Sequence, residues 1–223
     1  MTRYLLTNAE HNTWRGSRVS PGRSVISSKS EDNVIDRNTD ELGESPLVAI
    51  MLNPWHAQID QQKMLELEIG QVEVINNDTC INMTVREASV PSVTTDQKIV
   101  FALMVMQEVY KNPVFNNWAD SWISGSDRSP ESAGKMFAHL GQIAREAGSS
   151  SGDANNGDFC SRASEAIFAA QIYMDRTENW PLLASRSVSR AVGGLHHRTD
   201  LTAIAERAVA SSAKGVMRSS SAA

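Results

Sequence analysis

The residue types and spacing that could do chemistry in this chain are concentrated in one stretch, Trp118-Ala-Asp-Ser-Trp122-Ile-Ser-Gly125-Ser-Asp127-Arg128-Ser129-Pro130. Two tryptophans four apart share one face of a helix, and the loop after Gly125 carries an Asp-Arg pair. An aromatic surface ringed by charge has the composition of a protein-binding hot spot, which makes Trp118, Trp122, Asp127 and Arg128 the candidate binding residues. The same pattern suits a corner of the core, with both indoles turned inward and Asp127 and Arg128 satisfying neighbouring helix ends. Of the two, the core is the simpler expectation.

The turn resembles a Trp-rich, Gly-x-Asp-Arg-Ser turn found in alanine-rich helical proteins of bacteria and phages, some of them described as immunity proteins. The likeness is confined to residues 118–130. It implies a binding role of immunity type and brings no chemistry with it.

The remaining reactive side chains are scattered. His11, His56, His139, His196 and His197 include no His-Glu-x-x-His spacing. The adjacent pair His196-His197 cannot point the same way, and His139 falls one position off the apolar stripe of its helix, so it should be exposed or half-buried. Cys80 and Cys160 have no Cys or His neighbour at zinc-ligand spacing, so both are expected as reduced thiols, mostly buried. No serine lies in Gly-x-Ser-x-Gly, and the Gly148–Gly157 stretch lacks the Gly-Lys-Ser/Thr ending of a phosphate loop. Met104 and Met106 suit core filling. The arginines at 162, 176, 186, 190, 198 and 207 interleave with Glu165, Asp175, Glu178, Asp200 and Glu206, the pattern of a solvated face. These patterns lead us to expect neither metal nor cofactor.

A net charge of -5 and a pI near 5.6 offer no whole-chain reason for nucleic-acid binding, which needs Lys and Arg against phosphate. The exception is residues 1–30, where Arg3, Arg15, Arg18, Arg23 and Lys29 face Glu10 alone; residues 31–45 are acidic in turn. The N-terminus lacks the apolar core of a signal peptide, and no run approaches a membrane span. The expected compartment is the cytoplasm.

Elements that would position the Trp118 stretch can be read from periodicity. Residues 1–45 are polar, with no sustained period, and read as a disordered tail. Residues 46–215 read as one globular domain, with strands over 46–90 and helices over 94–215; residues 216–223 should fray. The run Leu47–Leu52 before Asn53-Pro54 reads as a buried strand. Alternation at Leu65, Leu67 and Ile69 changes parity across Gly70, which predicts a bulge there. Asn76-Asn77-Asp78 has turn chemistry. Thr94 with Gln97 predicts a capping box, Asn112-Pro113 a helix boundary, and Ser129-Pro130-Glu131 a helix start. The polar Gly148–Gly157 stretch reads as a flexible loop, with the next helix following from Phe159.

The fold class expected is therefore α+β, mainly α: a small N-terminal antiparallel sheet followed by an irregular bundle of about six helices. The function expected is non-catalytic protein binding or regulation, with another protein or a second copy as partner and no membrane. The alternatives are a coat-type self-assembling subunit and an enzyme whose site residues are dispersed beyond recognition.

Overall fold

The computed structural model describes residues 1–13, 17–27, 42–75, 78–149, 154–176, 178–195 and 197–220. Strands β1 (Thr2–Thr7), β2 (Gly22–Ser27), β3 (Lys63–Ile75) and β4 (Asp78–Ala88) form one antiparallel sheet in the order β1-β3-β4-β2. Helix α1 (Pro46–Leu52) lies between β2 and β3. The six helices α2 (Thr95–Val109), α3 (Pro113–Ser124), α4 (Pro130–Ser149), α5 (Ala154–Asp175), α6 (Trp180–Val192) and α7 (Leu201–Ser220) follow the sheet. This is an α+β architecture, mainly α, as the periodicity led us to expect.

Two expectations are corrected. The first concerns residues 1–45. Residues 28–41 lie outside the described residues, but Thr2–Thr7 pairs in register with β3 and Gly22–Ser27 with β4. Leu5 and Leu6 are consecutive, so they face opposite sides of the sheet. Leu6 joins the large core with α1 and the bundle; Leu5 joins a smaller one with Val19, Leu65, Leu67, Met83 and Val85. A two-residue apolar pair is too short to show a period, yet it fills both layers.

The second concerns Pro46–Leu52, which is a helix and not a strand. Ser45 caps it by accepting from the Val48 N–H, and Pro46 occupies the first turn. A short apolar run buried on every side has no period to separate strand from helix. Its N-terminus is tied to β1 through Gly43, which exchanges backbone hydrogen bonds with Tyr4. A Cβ at Gly43 would collide with the Ala49 backbone, so only glycine fits.

Other local readings hold. The β3–β4 register shifts between Ile69 and Val72, beside Gly70. The Thr94–Gln97 capping box is formed in both directions, at 3.2 and 2.8 Å. Asn112 caps α3 with Pro113 in its first turn, and Gly125 ends that helix in the left-handed region at φ 77°. Helix α4 runs on to Ser149 and α5 starts at Ala154, so both ends of the expected loop are helical; residues 150–153 lie outside the described residues, as do Asn76-Asn77, His196 and 221–223. Helix α7 continues past residue 215 to Ser220.

Helix α2 is the hub. It is buried nearly all round, and α3, α5, α6 and α7 pack against it. Helix α4 packs chiefly on α5, which leaves much of its surface facing outward. Among the described residues no helix is long and apolar enough to cross a membrane.

Candidate functional site

The four residues singled out in the sequence are split between two roles. Trp122 is 1% exposed and sits inside the corner where α3 turns toward α4. The Tyr173 ring of α5 meets it edge-on at 6.0 Å, and the Arg128 guanidinium lies 4.2 Å from its ring centre. Arg128 Nε donates to the Trp122 carbonyl at 2.9 Å, and one terminal nitrogen donates to Asp96 at 2.7 Å in the first turn of α2. One side chain thus satisfies the C-terminal end of α3, covers an indole face and balances an acid at a helix N-terminus. Beyond Tyr173 the ladder continues to Trp180 of α6 at 5.3 Å, with Arg176 against both rings. Trp122 and Arg128 do not line the groove between α3 and α4.

Trp118 and Asp127 face an opening. Together with Val114, Ser129, Glu131, Ser132, Lys135, Met136 and His139 they line a groove of about 480 Å³ between α3 and the first turns of α4. Trp118 is 8% exposed and packs on Phe115, while Val114 is 49% exposed. The groove has an apolar part, made by Val114, Trp118 and Met136, and a charged rim. Asp127 Oδ1 accepts from the Ser129 N–H at 3.0 Å and from the Ser129 hydroxyl at 2.7 Å. These bonds, led by the backbone one and helped by the Ser132 side chain, hold its carboxyl below the usual range. Glu131 is likewise held low by its hydrogen bond and ion pair with Lys135 at 2.6 Å, which raises Lys135 in return.

This arrangement settles what the polar groups do. The Ser129 hydroxyl donates to Asp127 and accepts from the Ser132 N–H at 3.2 Å, the geometry of a helix cap. Ser129→Ala should lower stability by about 1 kcal/mol, the usual effect of losing a capping oxygen, read as a shift in denaturant midpoint. An unchanged midpoint would show that the α4 start is held by other contacts.

Of the nine lining residues, sequence reasoning named Trp118 and Asp127 as binding candidates and missed seven: Val114, Ser129, Glu131, Ser132, Lys135, Met136 and His139. Val114 lies in the first turn of α3 and the others at or after the start of α4, and nothing in the spacing says that these two stretches line one groove. His139 is half-buried, as expected. It also missed a second polar cluster. Lys98, on α2, is wholly buried and its Nζ donates to the Asn53 carbonyl at the end of α1. Burial pushes its ammonium down to about 7. Burial first, and the nearby Lys98 second, push His56 down to about 4. A near-neutral amine has the chemistry of a nucleophile, but this one is enclosed and aimed at a backbone carbonyl, so it works as a C-terminal cap of α1. Cys160 is buried with its Sγ 3.3 Å from the Tyr110 hydroxyl.

No family model, curated protein or solved structure matches the chain.

Proposed function

We propose that this chain is a non-catalytic, cytoplasmic protein-binding protein, and that a protein partner docks in the α3–α4 groove. The observation that carries the reading is the make-up of that groove: exposed Val114 beside Trp118 and Met136, rimmed by carboxylates that are held ionised. An apolar anchor in a desolvated notch, surrounded by charge, is how proteins bind one another. The two rim carboxylates against one lysine favour a partner segment that presents an apolar side chain flanked by a basic one. Acid–base catalysis is disfavoured by the same facts. Asp127 is kept charged by three hydrogen-bonding groups, and the Ser129 hydroxyl is committed to it. The immunity-type role implied by the turn's resemblance is one case of this reading.

The test places a photo-crosslinking amino acid at position 114 in the native host, with position 86 on the exposed sheet as control. A defined adduct from 114 only is expected. The partner identified from it, once purified, should bind the full chain, and Val114→Arg should weaken that binding at least tenfold without moving the melting temperature. Binding indifferent to Val114→Arg, or no adduct specific to 114, would overturn the reading.

A further inference from the structure

Helix α4 carries a second surface, which adjoins the groove at Glu131 and turns away from it toward Phe137. Phe137 is 42% exposed and Phe168 of α5 is 43% exposed, and their rings contact each other at 6.4 Å. Two exposed phenylalanines on adjacent helices form a single apolar ridge. Beside the ridge, α4 is bare: Gly134 and Gly141 lie in the helix interior, and a Cβ at either would meet nothing within 4 Å. Glycine weakens a helix interior relative to alanine, and here no packing among the described residues requires it. The surface therefore has a knob and, next to it, notches.

The charges on the same face have a matching pattern. Glu131, Ala138 and Arg145 are exposed and spaced by seven, so they form one stripe along α4, with Glu131 also on the groove rim and paired there with Lys135. Acid stands at one end and base at the other, about 21 Å apart along the helix axis. Lay a second α4 antiparallel across the first with the two-fold axis at Ala138. Glu131 of each copy then stands opposite Arg145 of the other, twice over. The same operation sets Phe137 opposite the second copy's His139, two residues from its Gly141 and about 3 Å from it along the axis. A parallel arrangement would set Glu131 against Glu131 and Arg145 against Arg145. Charge and shape thus select the same geometry, and a two-fold interface requires this self-complementarity of one patch.

We infer that the outer face of α4, with the Phe137–Phe168 ridge, is a homodimer interface in which two copies pair antiparallel about Ala138. One helix pair and two aromatic ridges bury on the order of 1,000 Å² in total, which places the contact among weak, reversible interfaces. The Phe137–Phe168 ridge and Arg145 lie outside the groove lining, and Glu131 is shared by the two surfaces.

Sedimentation equilibrium of the full chain across micromolar concentrations should show a monomer–dimer equilibrium that weakens with added salt. Phe137→Ser should weaken dimerisation at least tenfold. Arg145→Glu, which sets like charges opposite each other at both ends, should do the same. The double change Glu131→Arg with Arg145→Glu restores opposite charges across the two-fold and should recover most of the lost affinity, with circular dichroism reporting an intact fold for each variant. A chain that stays monomeric throughout would overturn the inference, as would a dimer indifferent to Phe137→Ser or a double variant no better than Arg145→Glu alone. Phe137→Ser and Arg145→Glu leave the groove lining unchanged, so their outcomes do not bear on crosslinking from position 114.

Discussion

Trp122→Ala is expected to destabilise the fold by about 3–5 kcal/mol, the range for an aromatic side chain removed from a packed interior. The residue is buried, so the loss includes its contact area, the edge-on contact with Tyr173 and the surface on which Arg128 lies. Losing that surface also loosens the guanidinium bridging the Trp122 carbonyl and Asp96, which couples α3 to α2. Chemical denaturation should therefore show a lower midpoint with an unchanged slope. Trp122→Phe should recover a large part of the loss. It keeps a ring in the ladder and removes an indole N–H that is buried without an acceptor among the described residues. An unshifted midpoint for Trp122→Ala would make the indole a surface feature and return it to the list of binding residues.

The second large effect is expected at Lys98 and depends on pH. In the folded chain its ammonium is pushed down to about 7 by burial, against an ordinary value of 10.5. Between those two values the unfolded chain binds more protons than the folded one, so stability rises as pH rises through that window and this group adds nothing further below it. From pH 7 to 9.5 the gain attributable to Lys98 is about 3 kcal/mol. Lys98→Met replaces a buried charge with an apolar chain of similar length, but leaves the Asn53 carbonyl without its donor, which costs about 1–3 kcal/mol. At pH 7 the first effect is the larger and the variant should be more stable than the parent. At pH 9.5 most of the charge penalty is gone, so the variant should lose its advantage or fall below the parent. Denaturant midpoints at the two pH values measure the crossover. Parallel pH profiles for parent and variant would mean that Lys98 finds water or an acid in the folded chain. His56, pushed down to about 4, stays neutral across this range and does not confuse the reading.

Much of the local structure was legible because it is dictated within a few residues. Thr94 with Gln97, Asn112 with Pro113, Gly125, and Ser129 with Pro130 mark helix ends through hydrogen bonds and backbone angles that their own side chains set. The parity change at Gly70 is a bulge for the same reason. Segments that failed to show themselves were those decided by distant partners. Leu5-Leu6 becomes a strand only because β3 offers it an edge and two cores offer it burial. Pro46–Leu52 becomes a helix because β1 and the bundle surround it and Lys98 caps its end.

The sequence by itself determined the α+β class, the six helices of the bundle, most of their boundaries and the corner built on Trp118–Ser129. Tertiary structure alone decided the fate of the residues in that corner. Trp118 and Trp122 are the same residue type one helical turn apart, yet one lines a groove and the other is sealed beneath Arg128. The difference lies in what stands opposite: α5 brings Tyr173 to Trp122, whereas α4 sits back from Trp118 and leaves it a groove. Periodicity says which way a side chain points along its own helix; which neighbour it meets depends on how distant helices pack, and no local spacing encodes that.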